Sequence, residues 1–494
     1  MTIETLVTAP LAVSRRNPRY FETRGADGEA RIVYLTGAHV NNNFHDGMGM
    51  GAECPDEPDV FDFDAYLDWL VDHGHNFIRL WRWEQFKSQV GGGAVHACMS
   101  PQPWARTGAG EASDGKPKFD LAQFDDAHFT RLRDRVSKAA EKGIYVDVML
   151  FEGFGLHLTP PPDNVEGHPF HAKSNVNNIG ITSIVDYMVL PLDPKVQELQ
   201  ITYIGKVLDT LHDLPNVLYE VANEASGQDA DSFDMGGQTI PGRIGDTTKW
   251  QYWVIESVKR LERERGYDAR PIGMTMQFPV PDQHKVNEPL FASPADWISP
   301  GFDEPIDPNA DFSGGPPQGR WFTDPPEADG RKVILADNDH FSPMAADALW
   351  PWKAFMRGQN PILYDLGILG GVHPEDPSAG MPSYESMEPA RLALGDIRRL
   401  ADRLDLAAME PASSISSTGY ALANEGQEYV AFQPDNGGFD LELPPGSYKA
   451  EWFSLAERVW TDADGVSVAS AGAMRFEPPS ASGPCVLHLA RDDS

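Results

Sequence analysis

Apolar residues recur along this chain at helical spacing, and the stretches that carry them alternate with short apolar runs of strand length. Phe63, Tyr66, Leu67, Leu70 and Val71 share one stripe, with Asp62 placed to cap its start and Gly74 just past its end. Further stripes are set by Phe129, Leu132, Val136 and Ala139, by Val196, Leu199, Tyr203, Val207 and Leu211, and by Trp250, Val254, Val258 and Leu261. A last one runs through Ala393, Ile397, Leu400 and Leu404. The intervening runs predict strands at Ile32–Gly37, Phe77–Trp81, Tyr145–Phe151, Val217–Glu224, Pro271–Gln277, Asp296–Gly301, Lys332–Asp337 and Pro361–Leu366. Strands separated by helices argue a parallel sheet, and eight such units argue a closed (β/α)₈ barrel. The units after Gln277 and Gly301 are Pro-rich and only loosely helical.

The pattern changes at both ends of the chain. Residues 1–30 read as an extension with a β-hairpin at the barrel base, turning at Gly25-Ala26-Asp27-Gly28, and residues 31–410 as the barrel. After Pro411, short runs such as EYVAFQ, FDLEL and CVLHL are separated by Asn-Gly and Pro-Gly turns, so residues 411–494 predict an all-β sandwich. The expected fold class is α/β, a (β/α)₈ TIM barrel with a C-terminal β-sandwich. Long loops follow several strands, at Met48–Pro58, Gly91–Pro117, Pro160–Asn178 and Pro300–Gly330. They leave the strand ends at which barrel active sites are built.

Composition narrows the functions available. A net charge of −34 repels phosphate backbones, so nucleic-acid binding is not expected. Three dispersed cysteines exclude a zinc ribbon, and neither His-x-His after strand one nor His-Glu-x-x-His is present, so no metal or other cofactor is expected. There is no Gly-x-Ser-x-Gly elbow for a serine hydrolase and no phosphate-binding loop. Met1–Val13 carries no signal-peptide pattern and no run approaches a membrane span, so a cytoplasmic protein without membrane contact is expected. The oligomeric state is left open.

Chemistry concentrates in LPNVLYEVANEAS, Leu214–Ser226, where Asn223 and Glu224 fall at the end of strand four. This string resembles the fourth strand of clan A glycoside hydrolases, and family 5 cellulases in particular, although Ala225 stands where the clan has Pro. The resemblance implies that Glu224 is the general acid/base and that Asn223 contacts a sugar 2-hydroxyl. It implies a second carboxylate at the end of strand seven, where RKVILADNDH offers Asp337, with Asp339 two residues on. An Asp in place of the clan's Glu is one methylene shorter, which leaves retention and inversion both open. Arg79 in FIRLWRW matches the clan's arginine beside the nucleophile, and Trp81 offers a ring face to a sugar. His39, His157, His340, Asp339 and Asp365 are further candidates for holding hydroxyls. The implied function is a glycosidase, retaining and exo-acting, on a carbohydrate substrate. A transglycosylase on the same site and a non-catalytic carbohydrate-binding barrel are the alternatives.

Overall fold

The computed structural model describes residues 7–492 apart from 8, 26, 51–59, 91–94, 159–162, 236–237, 305–318, 342–346, 366–383 and 480–482. Eight parallel strands form one sheet in sequential order. They are β1 (Gly37–His39), β2 (Phe77–Leu80), β3 (Tyr145–Glu152), β4 (Val217–Asn223), β5 (Ile272–Thr275), β6 (Trp297–Ser299), β7 (Val333–Asp337) and β8 (Asn360–Tyr364). β8 pairs with both β7 and β1, so the sheet curls round until β1 faces β2. That seam is closed by side chains as well as backbone. Asn76 takes the Thr36 N–H on its Oδ1 at 3.0 Å and donates to Tyr34 O at 2.9 Å, and Asn43 donates to Arg79 O at 2.7 Å. Gly37 makes the approach possible, because a Cβ there would lie 2.1 Å from Phe77 O.

Five helices follow the apolar stripes, α1 (Phe63–His73), α2 (Asp126–Glu141), α3 (Pro194–Leu211), α4 (Thr248–Arg265) and α7 (Tyr384–Ala401), and α5 (Glu288–Ala292) and α6 (Leu349–Met356) stand between α4 and α7. Asp62 caps α1 through the Ala65 N–H, and Gly74 ends it in the left-handed conformation. The first strand is a correction. The run expected at Ile32–Gly37 is divided between Ala30–Val33, which pairs antiparallel with Phe21–Arg24 in the hairpin, and β1, which starts at Gly37. Parts of the four long loops, at 51–59, 91–94, 160–162 and 305–318, lie outside the described residues. Asp46–Met50, Ser88–Val90 and Val95–Ser100 form a small antiparallel sheet there.

The barrel interior is built in layers. Phe77, Tyr145, Leu218, Trp297 and Leu335 make an apolar floor, covered from below by Leu11, Phe21 and Leu35 of the N-terminal segment. Two residues further along the same strands the side chains are Arg79, Asp147, Glu220, Ser299 and Asp337, so strand alternation sets a polar layer directly on the apolar one. The Trp297 indole occupies the space of a missing side chain on β5, since a Cβ at Gly273 would sit 2.0 Å from its ring.

The C-terminal region is a sandwich of a six-stranded and a two-stranded sheet. Phe439, Leu441, Tyr448, Trp452 and Leu487 fill the space between the sheets. The outer face of the larger sheet, with Phe432, Phe453 and Val486, packs on Trp352 and Phe355 of α6 and Ile397 of α7. At the edge of this contact His488 lies between Glu451 (2.7 Å) and Glu428 (2.9 Å), while Glu428 also accepts the Asp405 N–H that follows α7. Burial disfavours the His488 cation, but the two carboxylates outweigh it and raise its pKa. The stabilisation is therefore fully present below the ordinary histidine value of about 6.5 and is lost as pH rises through the folded-state value. The melting temperature should fall as pH rises above about 6.5, and His488→Gln should flatten that fall. Parallel curves for the two proteins would remove this role.

Candidate active site

Arg79, on β2, is the hub of the polar layer. Its Nε and Nη2 donate to Glu220 at 2.9 and 2.7 Å, Nη2 also to Asn223 Oδ1 at 3.0 Å, and Nη1 to Asp337 at 3.0 Å. One guanidinium thus ties β2 to β4 and β7 in the geometry that a planar fork allows. Burial pushes the carboxyl pKa of Glu220 up, and Arg79 more than offsets this and keeps it ionised. Asp147, paired in register with Arg79, has its pKa raised well above the carboxylate range, by burial first and then by the Glu220 charge.

Asp337 ends β7 and is likewise held ionised. Burial opposes the charge, but His39 and Arg79 outweigh it and depress the pKa. Trp81 Nε1–H donates to His39 Nδ1 at 2.8 Å, which leaves His39 Nε2–H to donate to Asp337 at 2.8 Å. Burial keeps this imidazole neutral. Trp81 stacks at 6.1 Å and 25° on Trp83 and lies under the Arg79 guanidinium, 4.8 Å from its centroid. Asp339 follows in the next turn, and burial and the Asp337 charge push its pKa up to about 7.

Glu224 stands across from them, one residue beyond β4. Its φ of +42° takes the chain out of the strand, a conformation that costs energy for any residue with a Cβ. The turn breaks strand alternation at the point where the acidic side chain enters the mouth of the barrel, and the residue remains partly exposed. Burial, then the charges of Asp339 and Glu152, raise its pKa well above the usual carboxylate range. The surroundings thus favour the protonated form of Glu224 and the ionised form of Asp337.

Solved glycoside hydrolases share this fold. One described simply as a glycoside hydrolase superposes with a TM-score of 0.59 at 11% identity, covering 98% of both chains. A family 5 glycoside hydrolase from Bacteroides vulgatus superposes with a TM-score of 0.58 at 10% identity, over 98% of this chain and 93% of that one. No family model and no curated protein sequence matches the chain. At such identities the likeness is one of fold, and the sandwich is part of it.

Of the residues singled out in the sequence, the structure gathers Glu224, Asn223, Arg79, His39, Trp81, Asp337 and Asp339 at one end of the barrel. Three others have different employment. Both ring nitrogens of His157 lie on backbone carbonyls, of Gly153 at 2.8 Å and Phe278 at 2.7 Å, so this side chain ties two loops together instead of presenting a group to a hydroxyl. Asp365 is fully buried in a bidentate pair with Arg391 of α7, at 2.5 and 2.9 Å. His340 is also fully buried, its Nδ1 2.7 Å from Ser299 Oγ. It braces β6 against β7.

Two further buried acids support the site: Glu84, which no sequence pattern marks, and Glu152, which the sequence places just after strand three as a hydrogen-bonding group at the rim. Buried Glu84 accepts hydrogen bonds from the Glu152 N–H at 2.8 Å, Tyr187 Oη at 2.6 Å and His168 Nε2 at 3.2 Å, and so fixes the end of β3. Glu152 itself is buried beside Asn223, its neighbour in register, and burial pushes its pKa up to about 8. A carboxyl raised in the folded state makes the protein less stable as pH climbs from the unfolded to the folded value. Glu152→Gln should therefore gain melting temperature relative to wild type between about pH 4.5 and pH 8. A constant difference over that range would show that Glu152 is ionised in the native protein. Among the described residues, no group of three or more His, Cys, Asp or Glu is arranged to hold a metal ion.

Proposed function

We propose that the protein is a glycoside hydrolase that cleaves a glycosidic bond with two carboxyl groups. The observation that carries this reading is the placing of acids at one end of one barrel: Glu224 follows β4 in buried surroundings that raise its pKa, and Asp337 ends β7 on His39 and Arg79, which depress its pKa. Environments that push two carboxyl pKa values apart assign an acid and a base, which is what glycoside cleavage requires. Glu224 gives its proton to the departing oxygen. The aspartates of β7 supply the negative charge across from it, where an oxocarbenium-like transition state builds positive charge. Asn223, its Oδ1 fixed by Arg79, is placed to meet a sugar hydroxyl beside the acid. Retention of configuration and exo action on a short glycoside belong to the same reading, the first from the clan resemblance and the second from the long loops that follow the strands.

Turnover on a panel of 4-nitrophenyl glycosides, differing in sugar and anomer, tests the proposal directly. Release of nitrophenol that Glu224→Gln abolishes supports it. A panel without turnover, with sugars that nonetheless bind, favours the non-catalytic barrel.

A further inference from the structure

The two aspartates at the end of β7 have unlike surroundings. The Asp337 side chain is 1% exposed, and its carboxylate receives three hydrogen bonds: His39 at 2.8 Å and Arg79 at 3.0 Å on Oδ2, and the Asp339 N–H at 3.1 Å on Oδ1. An ionised carboxylate has about four acceptor positions. Three of Asp337's are engaged and the group is shut off from solvent, so a single position on Oδ1 is left and it has no open approach. The Asp339 side chain is 9% exposed, and its side-chain contact with Arg79 is long, at 3.5 Å. Asp339 is therefore the more open of the two carboxylates, and its charge acts on Glu224 to raise that group's pKa.

We propose that Asp339 is the carboxylate that faces the anomeric carbon opposite Glu224, and that Asp337 is a positioning residue that locks Arg79 and His39 behind it. The proposal rests on the glycosidase reading above. In the retaining course, an Asp339 oxygen forms a bond to the anomeric carbon while the bond to the leaving oxygen breaks. That oxygen keeps the bonding pair and takes the proton of Glu224. Water then attacks the glycosyl ester, its proton passes to the Glu224 carboxylate, and the Asp339 carboxylate is released. In the inverting course Asp339 instead accepts the proton of the water that attacks. Either way the reacting base is Asp339.

The charged and titratable groups facing Asp339 are Asp337 on its own strand, Arg79 on β2, Glu220 and Glu224 from β4, and Tyr364 on β8. Burial and the Asp337 charge hold its pKa near 7, so the acid limb of kcat/KM should fall near neutrality. With Asp337 as the reacting base, the limb would lie below the ordinary carboxylate value of about 4.

The experiment uses the full chain and the nitrophenyl glycoside that turns over best. Asp339→Gly should lose more than about a hundredfold in turnover and recover part of it with azide, giving a glycosyl azide, whereas azide should not restore Asp337→Gly. Rescue of Asp337→Gly instead, or of neither variant, overturns the proposal. Should Asp337→Gly fail to fold, the isosteric Asp337→Asn takes its place. That variant should keep measurable activity with its acid limb moved to lower pH, because a neighbouring negative charge has gone. An unmoved limb, or no activity in a folded variant, overturns the proposal. A third arm needs no substrate: carbodiimide with glycine ethyl ester, mapped by peptide mass spectrometry, should label Asp339 before Asp337. The reverse order overturns the proposal even if no glycoside is cleaved, whereas absence of turnover alone counts against the glycosidase reading.

Discussion

Replacing Glu224 by alanine is expected to slow cleavage of an alkyl glycoside by about 10²–10⁴-fold, the range for loss of a positioned general acid. A 2,4-dinitrophenyl glycoside should lose far less in its bond-breaking step, because its leaving group departs without a proton. The alkaline limb of the pH profile, set by loss of the proton that burial and the neighbouring charges keep on Glu224, should vanish in the variant for that activated substrate. Steady-state rates across a series of aryl leaving groups are the measurement. Equal losses for good and poor leaving groups would take the acid role away from this residue.

Arg79→Met is expected to have the largest effect on stability. The guanidinium is 2% exposed and is paired with two buried carboxylates, Glu220 at 0% and Asp337 at 1%. Removing one member of a buried charge network leaves the others unpaired, at a cost of about 3–5 kcal/mol. The apolar floor beneath cannot solvate them, so Glu220 and Asp337 should take up protons. The variant should therefore be most stable in acid, and its deficit relative to wild type should grow as pH rises. Chemical denaturation at several pH values measures both. Combining Arg79→Met with Glu220→Gln should recover part of the loss, since one orphaned charge is gone. A double variant no better than the single one would place the damage in packing.

What could be read from the sequence is unevenly distributed, for physical reasons. The barrel was legible because its helices are exposed on one side only, so that α1, α2, α3 and α4 print their burial as a 3.6-residue period. α6 left no such trace. Trp350, Trp352, Phe355 and Met356 are all buried, as the helix lies between barrel and sandwich, and a helix apolar all round has no period to detect. The sandwich strands Val459–Val468 and Gly472–Phe476 left no alternating pattern either, because they are largely exposed on both faces. At the site, Glu224 and Arg79 stood out by motif and strand position. Which acids share a buried network did not. His157 and Asp365 have the chemistry of sugar ligands, and only the three-dimensional partners, backbone carbonyls for one and Arg391 for the other, reveal how they are engaged.

The position of α6 also bears on how this chain can be recombined. One side of the helix helps to form the wall of the barrel between β7 and β8, and the other is the seat of the larger sandwich sheet. A graft that exchanges the C-terminal module for an unrelated one would leave Trp352 and Phe355 without a cover, on the helix that packs on β8. Shuffling of such modules between enzymes therefore has to carry α6 with it, or else match a new sheet to an aromatic surface already cut to fit the old one.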